Sequence, residues 1–153
     1  DMLLAEKFGM TYIDTDGQKK LPYIIHRTSL GCYERTLAYL IEKYAGALPT
    51  WMAPEQVRIL PVTDRALEYA VDVKAKLSAN GYRVTIDDRS EKLGYKIRSA
   101  QMEKVPYMII IGDKDMENNT ISVRHRSGED LGALTFEDFE KILHDVVANK
   151  EKK

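Results

Sequence analysis

Residues 56–86 read "QVRILPVTDRALEYAVDVKAKLSANGYRVTI", and the fold turns on them. "QVRILPV" is a short apolar run of strand length, and "YRVTI" is a second, with Tyr82, Val84 and Ile86 on one face. Between them, from about Arg65 to Ala79, Leu67, Ala70, Val71, Lys74 and Leu77 follow a helical period, and Gly81 supplies the stop. A helix joining two strands in so little chain is a strand–helix–strand unit, which calls for parallel strands and a right-handed crossover.

The same alternation continues downstream. "SEKLGYKIRSAQMEK" (90–104) predicts a second helix, with Ser90 as its N-cap and Leu93, Ile97 and Ala100 facing inward. "PYMIIIG" (106–112) is continuously apolar, the pattern of a strand buried on both faces, and "TISVRHR" (120–126) alternates cleanly. A last helix runs from Thr135 to about Ala148, with Phe139, Ile142, Leu143 and Val146 on its apolar face and Thr135 with Asp138 at its cap. The expected fold is α/β, a mixed, mainly parallel sheet flanked by helices. Ligands of such sheets bind beyond the carboxyl ends of the strands, here Thr63-Asp64, "DDRSEK" and "GDKD".

Upstream, Met10–Ile13 and "LPYIIH" (21–26) are expected to pair as a ribbon across the "DTDGQ" turn. From Tyr33 the period becomes helical, with Leu37, Leu40, Ile41 and Tyr44 in one stripe, Gly46 as the stop and Pro49 beyond it. "LPTWMAP" reads as a linker, which divides the chain into residues 1–50 and 51–153.

With 153 residues, 44% hydrophobic and 31% charged, the chain has enough apolar area to fold and enough charge to stay dissolved. A formal net charge of −1 points to no nucleic-acid role in bulk, so any such role needs a local basic face. One cysteine forms no internal disulfide, which fits a reducing compartment. No apolar run is long enough to cross a bilayer, and the start at Asp1 reads as that of a processed or cut chain. The turn "PVTDRA" lacks the glycines of a dinucleotide fingerprint, and no P-loop is present. By residue pattern alone, His26 is a structural histidine on a strand, Cys32 a small buried residue, and His125 part of an edge strand. Lys92 and Lys96, with Arg89 before them, line one side of a helix, and Ser122, Arg124 and Arg126 share a strand face; solvated charge and RNA binding both explain such residues.

Motifs in order then favour RNA. "PYIIHRTSLGCYER" (22–35), "YAGALPTWMAP" (44–54), "LPVTD" (60–64), "DDRSEKLGYKIR" (87–98), "VPYMIIIGDKD" (105–115) and "VRHRSGEDLG" (123–132) together resemble the threonyl-tRNA synthetase family of class II aminoacyl-tRNA synthetases. The resemblance implies that residues 1–50 are the strand–helix end of a class II catalytic domain, carrying motif 3, and that 51–153 are an anticodon-binding domain. It assigns Arg35 to ATP and catalysis, His26 to the family's catalytic zinc, and Cys32 to a position beside the threonine pocket where many relatives carry serine. Arg89, Ser90, Lys92, Arg98, Asp115 and Arg124 are assigned to the RNA, with Ser90 standing for asparagine and Asp115 for glutamate. The implied partners are tRNA(Thr), threonine and ATP, in a cytoplasmic homodimer without membrane attachment. Motifs 1 and 2 and the remaining zinc ligands are not in this stretch, so the 153 residues alone are expected to bind tRNA without zinc and without catalysis. The competing expectation is a freestanding tRNA-binding accessory protein built on the same module.

Overall fold

A computed structural model describes residues 1–29 and 31–151. They form two compact units, residues 1–38 and 39–153, divided within one helix.

The first unit opens with a short helix, α1 (Leu4–Lys7), whose free Leu3 and Leu4 amides donate to the Asp1 carboxylate. A hairpin of β1 (Tyr12–Ile13) and β2 (Lys19–Lys20) follows, pairing Tyr12 with Lys20 and Ile13 with Lys19. The return strand is therefore not "LPYIIH". The Asp14 amide donates to the Gln18 carbonyl, so the chain closes on itself at once, and Lys20 forms ion pairs with Asp14 and Asp16. Pro22 has no N–H to extend the ladder. Helix α2 (Tyr33–Tyr44) forms where the period predicts it, but buries none of its residues.

The second unit is built on β3 (Val57–Pro61), α3 (Leu67–Ala79), β4 (Val84–Ile86), α4 (Leu93–Met102), β5 (Tyr107–Ile111), α5 (Asp113–Asn118), β6 (Ile121–His125), β7 (Asp130–Leu134) and α6 (Phe136–Ala148). The sheet order is β4-β3-β5-β6-β7. Strand β3 runs parallel to β4 and β5, while β5–β6 and β6–β7 are antiparallel. The sheet is mixed, as expected, with its parallel pairings at one side. Strands β3 and β5 lie inside it and alternate between two apolar layers. Val57, Ile59, Tyr107, Ile109 and Ile111 pack with Ala70, Leu77, Phe139 and Leu143 of α3 and α6. On the opposite face, Leu60 and Met108 pack with Ala100 of α4 and with Val105.

Three sequence expectations are corrected. The N-cap of helix α4 lies two residues beyond the expected Ser90: the Glu91 amide donates to the Arg89 carbonyl in a tight turn, Lys92 becomes the N-cap without a side-chain bond, and Ser90 stays exposed. Strand β6 is not an edge, because "DLGAL" forms β7 beside it after the Ser127-Gly128 turn. His125 instead packs against the Tyr107 ring, centroids 5.1 Å apart. The apolar stripe of α2 remains largely outside a core, with Leu37 and Ile41 about half exposed.

Candidate nucleic-acid interface

Two neighbouring sets of polar side chains occupy the carboxyl ends of the parallel strands and the face of the sheet that α4 covers. The first is organised by Asp115 in the turn from β5 into α5. Its carboxylate is buried and accepts from the Gly112 amide at 2.9 Å and from the Ser122 hydroxyl at 2.8 Å. The first bond holds the turn, and the second ties it to β6. Alternation along β6 puts Ser122 and Arg124 opposite the core residues Ile121 and Val123. Arg124 is half-buried, and its Nε is enclosed without a hydrogen-bond partner among the described residues. A buried donor left unsatisfied is unusual in a folded domain and marks Arg124 as a candidate functional residue.

The second set is an open cleft of about 320 Å³ between the ends of β3 and β4, lined by Thr63, Arg89, Ser90, Lys92 and Lys96 among others. Arg89 is engaged within its own loop. It grips Asp87 through Nε–Oδ1 at 2.8 Å and Nη2–Oδ2 at 2.6 Å, and its guanidinium lies over the Tyr95 ring at 5.8 Å. Those bonds hold the Asp87 carboxyl below its usual range against the opposing effect of its burial. Lys92 is exposed at the start of α4, whereas Lys96 is 5% exposed. Lys96 therefore does not share the exposed side of α4 with Lys92, contrary to the sequence expectation. It lies at i+3 of the Leu93–Ile97–Ala100 stripe, and that spacing was the signal for an inward direction. Its ammonium donates to the carbonyls of Pro61 at 3.3 Å and Asp87 at 3.1 Å, joining the ends of β3 and β4.

Of the residues assigned to RNA, the fold brings Arg89, Ser90 and Lys92 to the cleft. Asp115 and Arg124 belong to the neighbouring set, connected through Ser122. Arg98 does not line the cleft; it is exposed beside Tyr95 and Met102 in a separate hollow on α4. Asp87 and Thr63 were placed by sequence at the ligand-binding strand ends, but neither was given a role there. Their roles depend on loop contacts that no local pattern announces.

In the first unit, His26 is exposed on irregular chain, Arg35 is exposed on α2, and Cys32 is exposed, its thiol donating to Glu34 Oε2 at 2.8 Å. The expectation of a buried Cys32 and a strand-borne His26 is corrected, because the helix start that carries Cys32 has no core to enter. Among the described residues, no group of three or more His, Cys, Asp or Glu is placed to hold a metal ion. His26 would supply a single ligand, and the residues present do not compose a zinc site.

A mixed sheet with helices on both faces and polar donors at its strand ends defines an α/β domain whose ligand surface lies beyond those ends. The chain belongs to the anticodon binding domain family, which matches residues 56–145. It is 54% identical over 151 residues to the threonine–tRNA ligase of Clostridium perfringens and 50% identical over 151 residues to that of Acetivibrio thermocellus. Each match takes in 99% of this chain and 24% of the relative, so the chain spans about a quarter of the length of these ligases. A solved structure of the RNA binding domain of threonyl-tRNA synthetase from Cryptosporidium parvum is similar, with a TM-score of 0.74 and 29% identity over 95% of this chain and 37% of that one.

Proposed function

We propose that this chain is the C-terminal part of a threonine–tRNA ligase, in which residues 51–153 bind the anticodon of tRNA(Thr) and residues 1–50 complete a class II catalytic domain. The observation that carries the reading is Arg124: its Nε is enclosed and unpartnered beside a carboxylate–hydroxyl pair that is already satisfied. Single-stranded bases are read by such guanidinium groups, through edge hydrogen bonds and stacking. Asp115 and Ser122 hold the strand that presents Arg124, while Arg89, Ser90 and Lys92 offer donors along the neighbouring loop.

In the whole ligase, threonine is activated with ATP and transferred to the tRNA. Arg35, an always-charged guanidinium, stabilises phosphate charge during activation, and Cys32 lies beside the threonine pocket. His26 would be one ligand of the zinc ion that the family resemblance implies, with the further ligands supplied by the rest of the ligase. The parent is a cytoplasmic homodimer. The test is binding of a fluorescent tRNA(Thr) anticodon stem-loop by this chain. Arg124→Ala is expected to weaken it by about 1–3 kcal/mol, and Arg124→Lys is expected to restore little of the loss. Unchanged affinity in Arg124→Ala would overturn the assignment.

A further inference from the structure

The cleft between the ends of β3 and β4 has a cationic floor that base reading by Arg124 does not use. An ammonium has three donors, and Lys96 uses two of them on neutral backbone carbonyls. Among the described residues it makes no ion pair. The nearby Asp87 carboxylate feels the Lys96 charge but is held by Arg89 in a bidentate pair. A charge 5% exposed whose nearby carboxylate is already paired with another cation is only partly compensated within the protein, which favours an anion in the cleft. Two further features converge on the same space. The Thr63 hydroxyl oxygen, on the opposite wall, is enclosed without a hydrogen-bond partner among the described residues. Lys92, the N-cap of α4, lines the cleft, and no side chain caps the first amides of this ten-residue helix.

We propose that this cleft binds a phosphate group, with Lys96 beneath it, Thr63 and the α4 amides at its sides and Lys92 at its mouth. The proposal rests on the RNA-binding reading for its natural occupant, a backbone phosphodiester of single-stranded RNA. Exposed carboxylates at the rim, Asp64, Asp88 and Glu91, set the number of charges. They repel a polyphosphate, while a single phosphodiester charge placed over Lys96 is attracted by a buried cation that salt screens less than the rim. A diester therefore suits the cleft better than a nucleoside triphosphate.

Inorganic phosphate titrated into the isotope-labelled chain at constant ionic strength is expected to shift the Leu93 and Gly94 amide resonances saturably. Lys96→Met is expected to abolish the shifts, and Thr63→Val, which leaves the helix and sheet untouched, to weaken phosphate binding several-fold. Absence of a saturable shift in the wild type, or equal binding by Thr63→Val and by any folded Lys96→Met, would overturn the site. With a single-stranded oligonucleotide, loss of the Lys96 contact is expected to reduce the slope of log affinity against log salt by about 0.7, the value for one phosphate. Oligonucleotide binding with an unchanged slope refutes the phosphodiester while leaving anticodon recognition standing. Saturable phosphate binding without any oligonucleotide binding keeps the site and refutes the RNA reading.

Discussion

Asp115 shows how one side chain can tie two elements together. It is a buried carboxylate that accepts from the Gly112 amide and the Ser122 hydroxyl, so it ties the start of α5 to β6. Asp115→Ala leaves both donors without an acceptor and is expected to cost about 1–3 kcal/mol in urea denaturation, with a parallel loss of RNA affinity. Asp115→Asn retains an acceptor and is expected to lose less of each. Arg124 was legible as a candidate from strand alternation, because Ile121 and Val123 fix which face is core. That its Nε would be enclosed and unsatisfied was not legible, since enclosure comes from strands and helices distant in sequence. Lys92 and Lys96 make the same point. Four residues apart on one helix, they have opposite exposures, because the carbonyls of Pro61 and Asp87 capture only the second.

Among the elements, the loop from β4 into α4 departs furthest from its sequence pattern. Ser90 has the chemistry of an N-cap, yet the chain turns at Arg89–Glu91 because Arg89 folds back onto Asp87. That pair makes the loop sensitive to acid. The Asp87 carboxyl is held lower in the folded protein than its ordinary value of 3.8, chiefly by the Arg89 side chain. Its stabilisation is therefore complete above the unfolded value and is lost as pH falls through the folded one. Amide exchange at Arg89 and Glu91 is expected to accelerate below about pH 4, and Asp87→Asn is expected to remove that dependence. Because Arg89 is half exposed, added salt should weaken the effect. Strand β7 went unread for another reason: "DLGAL" is short and exposed, and it is a strand only because β6 offers it a ladder, with Gly132 opposite Val123 near a bulge.

Across the molecule, both apolar layers lie within the second unit, whereas α2, which spans the boundary between the units, buries no residue. Phe139 is fully buried and meets the Tyr107 ring edge-on, centroids 5.7 Å apart, beneath the centre of the sheet. Phe139→Ala is expected to destabilise the protein by about 3–5 kcal/mol in urea denaturation, the usual cost of emptying an aromatic core position. The strand–helix–strand order, the doubly buried β5 and the apolar stripes of α3, α4 and α6 were determined by sequence alone, because period and burial are properties of neighbouring residues. Motif order likewise pointed to the family. Tertiary structure decided which donors remain available. Whether Arg89 is spent on Asp87, Lys96 is buried beneath a cleft, or Arg124 keeps an unpartnered nitrogen depends on carbonyls, carboxylates and walls supplied by segments far apart in the chain. Hydrogen bonds are satisfied in space, and sequence spacing constrains only those made within a single element.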